Sequence, residues 1–279
     1  MGFKMNIPMI LFYLATIFYI ISTIEIIIYF CKFNEKNLNI SRKFFIIAFG
    51  IHCISFFGRW LKCGYFPVTT LFESLSFFAL IIALFQIIID YRYKVKGISI
   101  FSTIIISILM FISCLLPDNV VSLPPVLNSF WLPIHVFFAF LGNGIFAISF
   151  AVSILYLIQF KKLKEKKLSE SFFKLPSLEA LDSLNYKCLT IGFPLLTLGI
   201  ITGSLWASSA WGSYWSWDPK ETWSLITWFL YAALLHGRLN TGWRGKRGAI
   251  FSIIGFAVVV FTFLGVNLLL PGLHSYAVR

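Results

Sequence analysis

The sequence predicts an all-α integral membrane protein with about eight transmembrane helices and both termini on the non-cytoplasmic side. Three observations carry this. Of the 279 residues, 59% are hydrophobic and only 12% are charged, against about 45–50% and about 25% in a soluble domain; one core of this size cannot hide that much apolar surface. The apolar residues gather in long runs, at 7–30, 44–58, 71–89, 98–116, 132–160, 187–210, 222–236 and 249–270, most of them close to the ~20 residues a spanning helix needs. The basic residues alternate between abundant and scarce from one loop to the next. The runs lack the period-two alternation of barrel strands, so helices are what satisfies the backbone in lipid.

Each run has its own reading. The first exceeds a signal-peptide core and no small-residue cleavage site follows it, so it is read as a retained helix. The runs at 44–58 and 222–236 are short, and each is extended by flanking Trp, Tyr or His. The loop 117–131, with Pro117, Pro124 and Pro125, is placed outside. The loop 161–186 is the longest inner segment, and Ser177–Leu184 within it has helical spacing suited to the membrane surface. No internal repeat is present, and residues 1–279 are read as a single membrane domain.

A net charge of +12 in a soluble protein would point to nucleic acid. Here all but five of the 23 basic residues fall in alternate loops. The five are Lys4, Arg59, Lys62, Lys220 and Arg279. The positive-inside rule therefore puts the Lys-rich stretch 161–167 in the cytoplasm, at the anionic lipid surface, and both termini outside, with no nucleic acid partner. The five cysteines, Cys31, Cys53, Cys63, Cys114 and Cys188, form no C-x-x-C or C-x-x-C-H motif. The chain thus carries no redox dithiol and no c-type haem attachment site, and Cys53 and Cys63 are read as small buried hydrophobes.

Six of the nine tryptophans lie at 206, 211, 215, 217, 223 and 228. An interfacial belt would scatter them over all helix ends. Their concentration in the outer segment 206–223 points instead to a flat aromatic platform. Asp218-Pro219-Lys220-Glu221 reads as a helix start, with Asp218 as N-cap, Pro219 in the first turn and Glu221 as the capping-box partner. Capping alone explains Asp218 and Glu221, and it fixes Trp215 and Trp217 just before the helix. A rigid aromatic shelf suits a large planar apolar ligand such as haem.

The four histidines fit that ligand at two levels. His135, near the outer end of the fifth run, and His274, after Pro271-Gly272, lie on the side of the tryptophans. Imidazole is a usual axial ligand of haem iron, so this pair is expected to clamp the iron. His52 and His236 fall in the inner half of the bilayer, where ionisable residues are functional candidates. They are expected to form an inner site from which haem passes outward. A packed or hydrogen-bonded histidine is the plainer alternative for each. Arg59, Lys62 and Lys220 are candidate partners for the haem propionates, with snorkelling at the interface as the simpler alternative. Glu73 begins a helix, where a carboxylate favours the positive end. Glu25 has no role legible in the sequence.

Trp211-Gly-Ser-Tyr-Trp-Ser-Trp-Asp218-Pro-Lys-Glu221-Thr-Trp223 resembles the tryptophan-rich WWD domain of cytochrome c assembly proteins, shared by CcsA/ResC, CcmC and CcmF. Gly58–Pro67 leading into Leu71–Ser74, Gly242–Arg247, Phe263–Asn267 and Gly272–Tyr276 are similar to CcsA/ResC in particular. The resemblance covers roughly residues 50–279. It implies a component of a haem export and attachment machine, working with a CcsB-like membrane protein to present haem b to the C-x-x-C-H site of apocytochrome c. It also implies that His135 and His274 are the external ligands and that His236 and His52 are the membrane histidines. Trp211, Trp215, Trp217, Asp218 and Trp223 form the shelf.

The missing C-x-x-C implies a separate thioredoxin-like thiol–disulfide partner. The chain carries no large external domain to grip apocytochrome, so it is expected to act as part of a cytochrome c synthetase complex rather than as a lyase alone. The membrane is a bacterial plasma membrane or a plastid thylakoid, with the tryptophan segment on the periplasmic or lumenal side. Competing readings are a haem carrier without attachment activity, a bis-histidine membrane redox protein, and an unrelated transporter with interfacial tryptophans.

Overall fold

The computed structural model describes residues 6–93, 97–120, 128–166 and 175–272. Eight helical segments occupy the eight apolar runs: α1 (Ile7–Lys32), α2 (Glu35–Cys63), α3 (Leu71–Tyr93), α4 (Ser99–Cys114), α5 (Trp131–Lys164), α6 (Leu178–Trp211), α7 (Pro219–Asn240) and α8 (Lys246–Val260). The last continues through a π-helical turn, Phe261–Gly265, into Val266–Leu269. The described residues contain no strand. Six of the helices are long and apolar enough to cross a membrane: α1, α2, α3, α5, α6 and Lys246–Leu269. The exposed side chains of α1 include Ile7, Ile10, Ile17 and Ile24, a flank that lipid rather than water would solvate. The chain is thus an all-α polytopic integral membrane protein.

Several helices outrun their apolar stretches. Asn34 caps α2 by accepting from the Lys36 N–H at 3.0 Å, so the polar residues 35–43 continue the span inward instead of forming a loop. Ser177 caps α6 through the Ala180 N–H. The stretch Ser177–Leu184, expected as a separate surface helix, is therefore the first two turns of α6. At 1.5 Å per residue, the 34 residues of α6 extend about 51 Å, well beyond the ~30 Å hydrocarbon core.

The helices fall into two compact units, α1–α4 and α5–α8. In the first, α1 packs along α2 and α3 along α4. Polar groups tie the helices: Ser22 to Ser41 between α1 and α2, Gln86 to Ser102 and Thr103 between α3 and α4, and Thr23 to Ser107 at 2.7 Å between α1 and α4. Asn37 donates to Glu25 at 2.6 Å, which gives Glu25 a role in joining α1 to α2. Near the junction of α2 and α3, Arg59 and Glu73, both buried, form an ion pair at 2.8 Å. Glu73 also accepts from the Thr69 and Thr70 N–H groups, so it caps α3 as well as balancing Arg59.

In the second unit α5 and α6 pack along their length because glycine lets the backbones meet. A Cβ on Gly142 would lie 2.8 Å from Leu196 N, and one on Gly199 would lie 3.0 Å from Ala139 Cα and N. Small residues at such contacts are the usual means of close helix approach in lipid, where dispersion and not hydrophobicity holds helices together. Asn185 on α6 adds a buried polar pin to Ser149 and Ser153 on α5 and Ser252 on α8.

The corner between α7 and α8 is built on one carboxylate. Asp182 takes bidentate bonds from Arg238 at 2.9 and 2.7 Å and a third from the Gly245 N–H at 2.8 Å. Trp243 lies on Gly237 and stacks on Phe251. Hydrogen bonds to charged groups contribute about 1.5–3 kcal/mol each. Asp182→Ala is therefore expected to lower the melting temperature in detergent and to open Thr241–Gly245 to protease, with Asp182→Asn intermediate. Equal protease resistance in all three proteins would show that Trp243 packing alone holds the corner.

Candidate functional site

One end of the second unit, where α5 begins and α6 ends, gathers most of the expected site residues. The residue that organises it is His135, on the second turn of α5. Its Nδ1 lies 2.8 Å from the carbonyl oxygen of Gly199 on α6. A carbonyl only accepts, so Nδ1 carries the proton, and in the neutral imidazole Nε2 then carries the lone pair. Gly203, one turn further out, leaves room for the ring: a Cβ there would come 2.7 Å from His135 Cε1 and Nδ1. Trp206 covers the imidazole, its ring plane 11° from parallel at 6.0 Å. Trp211 meets Trp206 edge to face at 5.2 Å. An aromatic ladder thus runs from His135 to the last residue of α6.

There the chain turns sharply. Gly212 ends α6 at φ +76°, its N–H returning to Ser208 O at 3.0 Å, the left-handed C-cap for which glycine is suited. The next six residues have no regular structure, and α7 starts as expected. Asp218 accepts from the Lys220 N–H at 3.0 Å, and both halves of the capping box with Glu221 are present. Glu221 does more than close the box, because the same carboxylate oxygen takes the Ser216 N–H at 2.8 Å. This clamp holds Trp217 at φ +59°, a backbone state that non-glycine residues rarely adopt and that costs about 1–3 kcal/mol. The Trp217 side chain is 69% exposed. It meets Trp215 at 89°. The two rings therefore make a corner and not the single flat face expected of them.

Trp223 faces inward from the first turns of α7 and packs on Phe261 at 4.4 Å, where the π-helical turn begins. Thr227 and Thr262 meet at 3.1 Å beside it. Such turns accommodate one extra residue and are frequent at functional sites. Beyond the turn, Asn267 accepts from Lys220 Nζ at 3.2 Å. A Cβ on Gly272 would lie 2.6 Å from Asp218 Oδ1. Gly272 is thereby brought to the N-terminus of α7. His274, the other expected external ligand, lies outside the described residues.

The remaining candidates stand elsewhere. His52, in the first unit, has no exposed surface. Its Nε2 lies 3.0 Å from Ser76 Oγ, Phe12 and Tyr19 meet its ring edge to face, and its Nδ1 has no hydrogen-bond partner among the described residues. His236, in the second unit, is exposed near the C-terminal end of α7 and pairs with Asn240 at 3.0 Å. Of the three candidate cations, Arg59 is committed to Glu73 and Lys220 to Asn267, and Lys62 is exposed. All five cysteines are free. Cys188 is buried, whereas Cys53 and Cys63 are only partly so.

The sequence matches the family described as cytochrome C assembly protein over residues 68–274. The chain belongs to this family. It is similar to proteins named cytochrome c biogenesis protein CcsA. The one from Guillardia theta is 41% identical over 237 residues, covering 78% of this chain and 79% of the relative. The one from Prochlorococcus marinus (strain MIT 9515) is 37% identical over 267 residues, with coverages of 88% and 86%. The one from Chlamydomonas reinhardtii is 39% identical over 250 residues, with coverages of 87% and 70%.

Within this cytochrome c assembly chain, Gly199 and Gly203 are the residues beside His135 that motif reading passed over, and Trp206, already counted in the tryptophan segment, is the member that lies next to His135. Their signal is present in the sequence. Gly199-Ile-Ile-Thr-Gly203 is a small-xxx-small pattern, and Trp206 follows on the same helix face at i+7.

Proposed function

We propose that this chain carries haem b across the membrane and presents it, with a CcsB-like membrane partner, for covalent attachment to the C-x-x-C-H site of apocytochrome c. The observation that supports this best is the state of His135. A histidine that binds a metal typically donates its other ring N–H to a carbonyl or carboxylate, which fixes the tautomer and makes the ring more basic. His135 has that arrangement on Gly199, so Nε2 is the atom that would meet the iron. His274, two residues beyond Gly272, would supply the opposite ligand. Trp211, Trp215, Trp217, Asp218 and Trp223 form the frame around the porphyrin, with the exposed corner of Trp215 and Trp217 bounding it.

In this reading the outer segment and both termini face the periplasm or thylakoid lumen. His236, exposed at the inner end, receives haem on the cytoplasmic side. His52 takes part only when α1 or α3 moves aside, because its ring is sealed in the present arrangement. Bound haem supplies the vinyl groups that react. The chain's own residues hold the ring and aim its edge at the substrate thiols, which is catalysis by positioning. A thioredoxin-like protein keeps those thiols reduced, since the chain has no C-x-x-C.

The test is co-expression with the CcsB-like partner and a C-x-x-C-H apocytochrome reporter, in a host without its own cytochrome c assembly. Covalent haem on the reporter is read by peroxidase staining after denaturation. Stain that requires this chain supports the reading. Haem that purifies with the chain but never reaches the reporter would reduce the function to carriage. No haem in either place would overturn it.

A further inference from the structure

We infer that Gly203 and Thr202 are positioning residues that set how strongly His135 binds its ligand. This rests on the reading of His135 as an axial ligand. The two glycines of the Gly199–Gly203 pair do different work. Gly199 lets the α5 backbone approach: a Cβ there would lie 3.0 Å from Ala139 Cα and N, and Ala139 stands one turn inward of His135. That approach brings the imidazole within 2.8 Å of the Gly199 oxygen. Gly203 meets the ring itself. Its missing Cβ would lie 2.7 Å from two ring atoms, against an ordinary carbon contact of about 3.5–4.0 Å. Any side chain at 203 must therefore push the ring away from the carbonyl that orients it, and Trp206 already occupies the adjoining face.

Thr202 acts on the same carbonyl from within α6. Its hydroxyl bonds to Leu198 O at 2.7 Å and lies 3.2 Å from Gly199 O. Its single proton points chiefly at Leu198 O, and Gly199 O, which accepts from His135, receives the weaker share of a bifurcated bond. A carbonyl relieved of a competing donor accepts more strongly from Nδ1–H, and the ring becomes a better electron donor through Nε2. A better donor favours the ferric state of bound iron.

The experiment uses the full chain purified with its partner. It follows the low-spin component of the haem spectrum that His135→Ala removes, together with that component's reduction potential. Gly203→Ala is expected to lower this component to the His135→Ala level. Gly192→Ala is the control. It lies on the same α5–α6 contact further inward, where a Cβ would meet the Phe146 and Ile145 side chains; it is expected to keep the full component. Thr202→Val, which removes the hydroxyl at nearly constant volume, is expected to keep the haem and to shift its potential to more negative values.

A wild-type spectrum in Gly203→Ala would overturn the inference. So would equal loss in Gly192→Ala, which would make the effect one of general packing. If Gly203→Ala does not accumulate, Thr202→Val decides alone, and an unchanged potential overturns the proposal. If His135→Ala removes nothing, it is the ligand assignment that has failed.

Discussion

Alanine in place of His135 is expected to remove the low-spin bis-histidine haem signal from the purified complex, and His274→Ala is expected to remove it from the other face of the iron. The loss should exceed the ~10–100-fold that deleting a supporting group costs a metal site, because under the proposed function His135 supplies the coordinating atom itself. The fold should survive. His135 is only partly buried, and truncation leaves one carbonyl, Gly199 O, without its side-chain donor, a cost of about 1–3 kcal/mol. Thr202 stays within reach of that oxygen. Absorption and magnetic circular dichroism spectra separate the outcomes. A high-spin signal in a single variant means one ligand remains, and complete loss in the double variant means that both have gone. An unchanged low-spin spectrum in His135→Ala would reduce the bond to Gly199 to helix packing.

Arg59→Met is expected to cost about 3–5 kcal/mol of stability in the first unit, the usual result of removing one partner from a buried ion pair. The side chain of Glu73 is fully buried and that of Arg59 is 7% exposed. The variant therefore leaves a carboxylate in a low-dielectric site with only the Thr69 and Thr70 donors. It also releases the segment after α4, since Arg59 donates to Asp118 O at 3.0 Å and to Asn119 O at 3.4 Å. Arg59→Met with Glu73→Gln removes the stranded charge and should recover a large share of the loss. The measurement is a double-mutant cycle on melting temperature in detergent. A double variant no more stable than Arg59→Met would place the cost in the Asp118 and Asn119 contacts instead.

These two predictions concern residues that the sequence treats very differently. His135 was legible because it is one of only four histidines and shares a membrane side with the tryptophan segment. Arg59 reads as a free outer cation, and so does Lys220. Both are structural: each is held by a polar group that looks unremarkable in the chain. The flat tryptophan shelf was misread for a similar reason. Spacing places Trp215 and Trp217 together, but the left-handed backbone at Trp217, imposed by the Glu221 clamp, turns their rings perpendicular. Ser177–Leu184 has the helical spacing read from the sequence, but it continues into α6 instead of lying on the surface, because Ser177 caps that helix and Asp182 pairs with Arg238.

The all-α membrane class, the positions of eight helices, the family and the capping box at Asp218 were all readable from the chain. Each of these is encoded locally, in a run of about 20 apolar residues or a contact between residues three apart. Long-range packing was needed to see which polar groups serve as pins and which nitrogen of His135 donates to Gly199. The deciding contacts, Arg59 with Glu73, Lys220 with Asn267, Arg238 with Asp182 and His135 with Gly199, join residues 14, 47, 56 and 64 positions apart. Helical periodicity says which face a residue occupies, but not which residue of another helix it will meet. That is set by how closely two backbones can approach, and here by the absence of a Cβ at Gly142, Gly199 and Gly203.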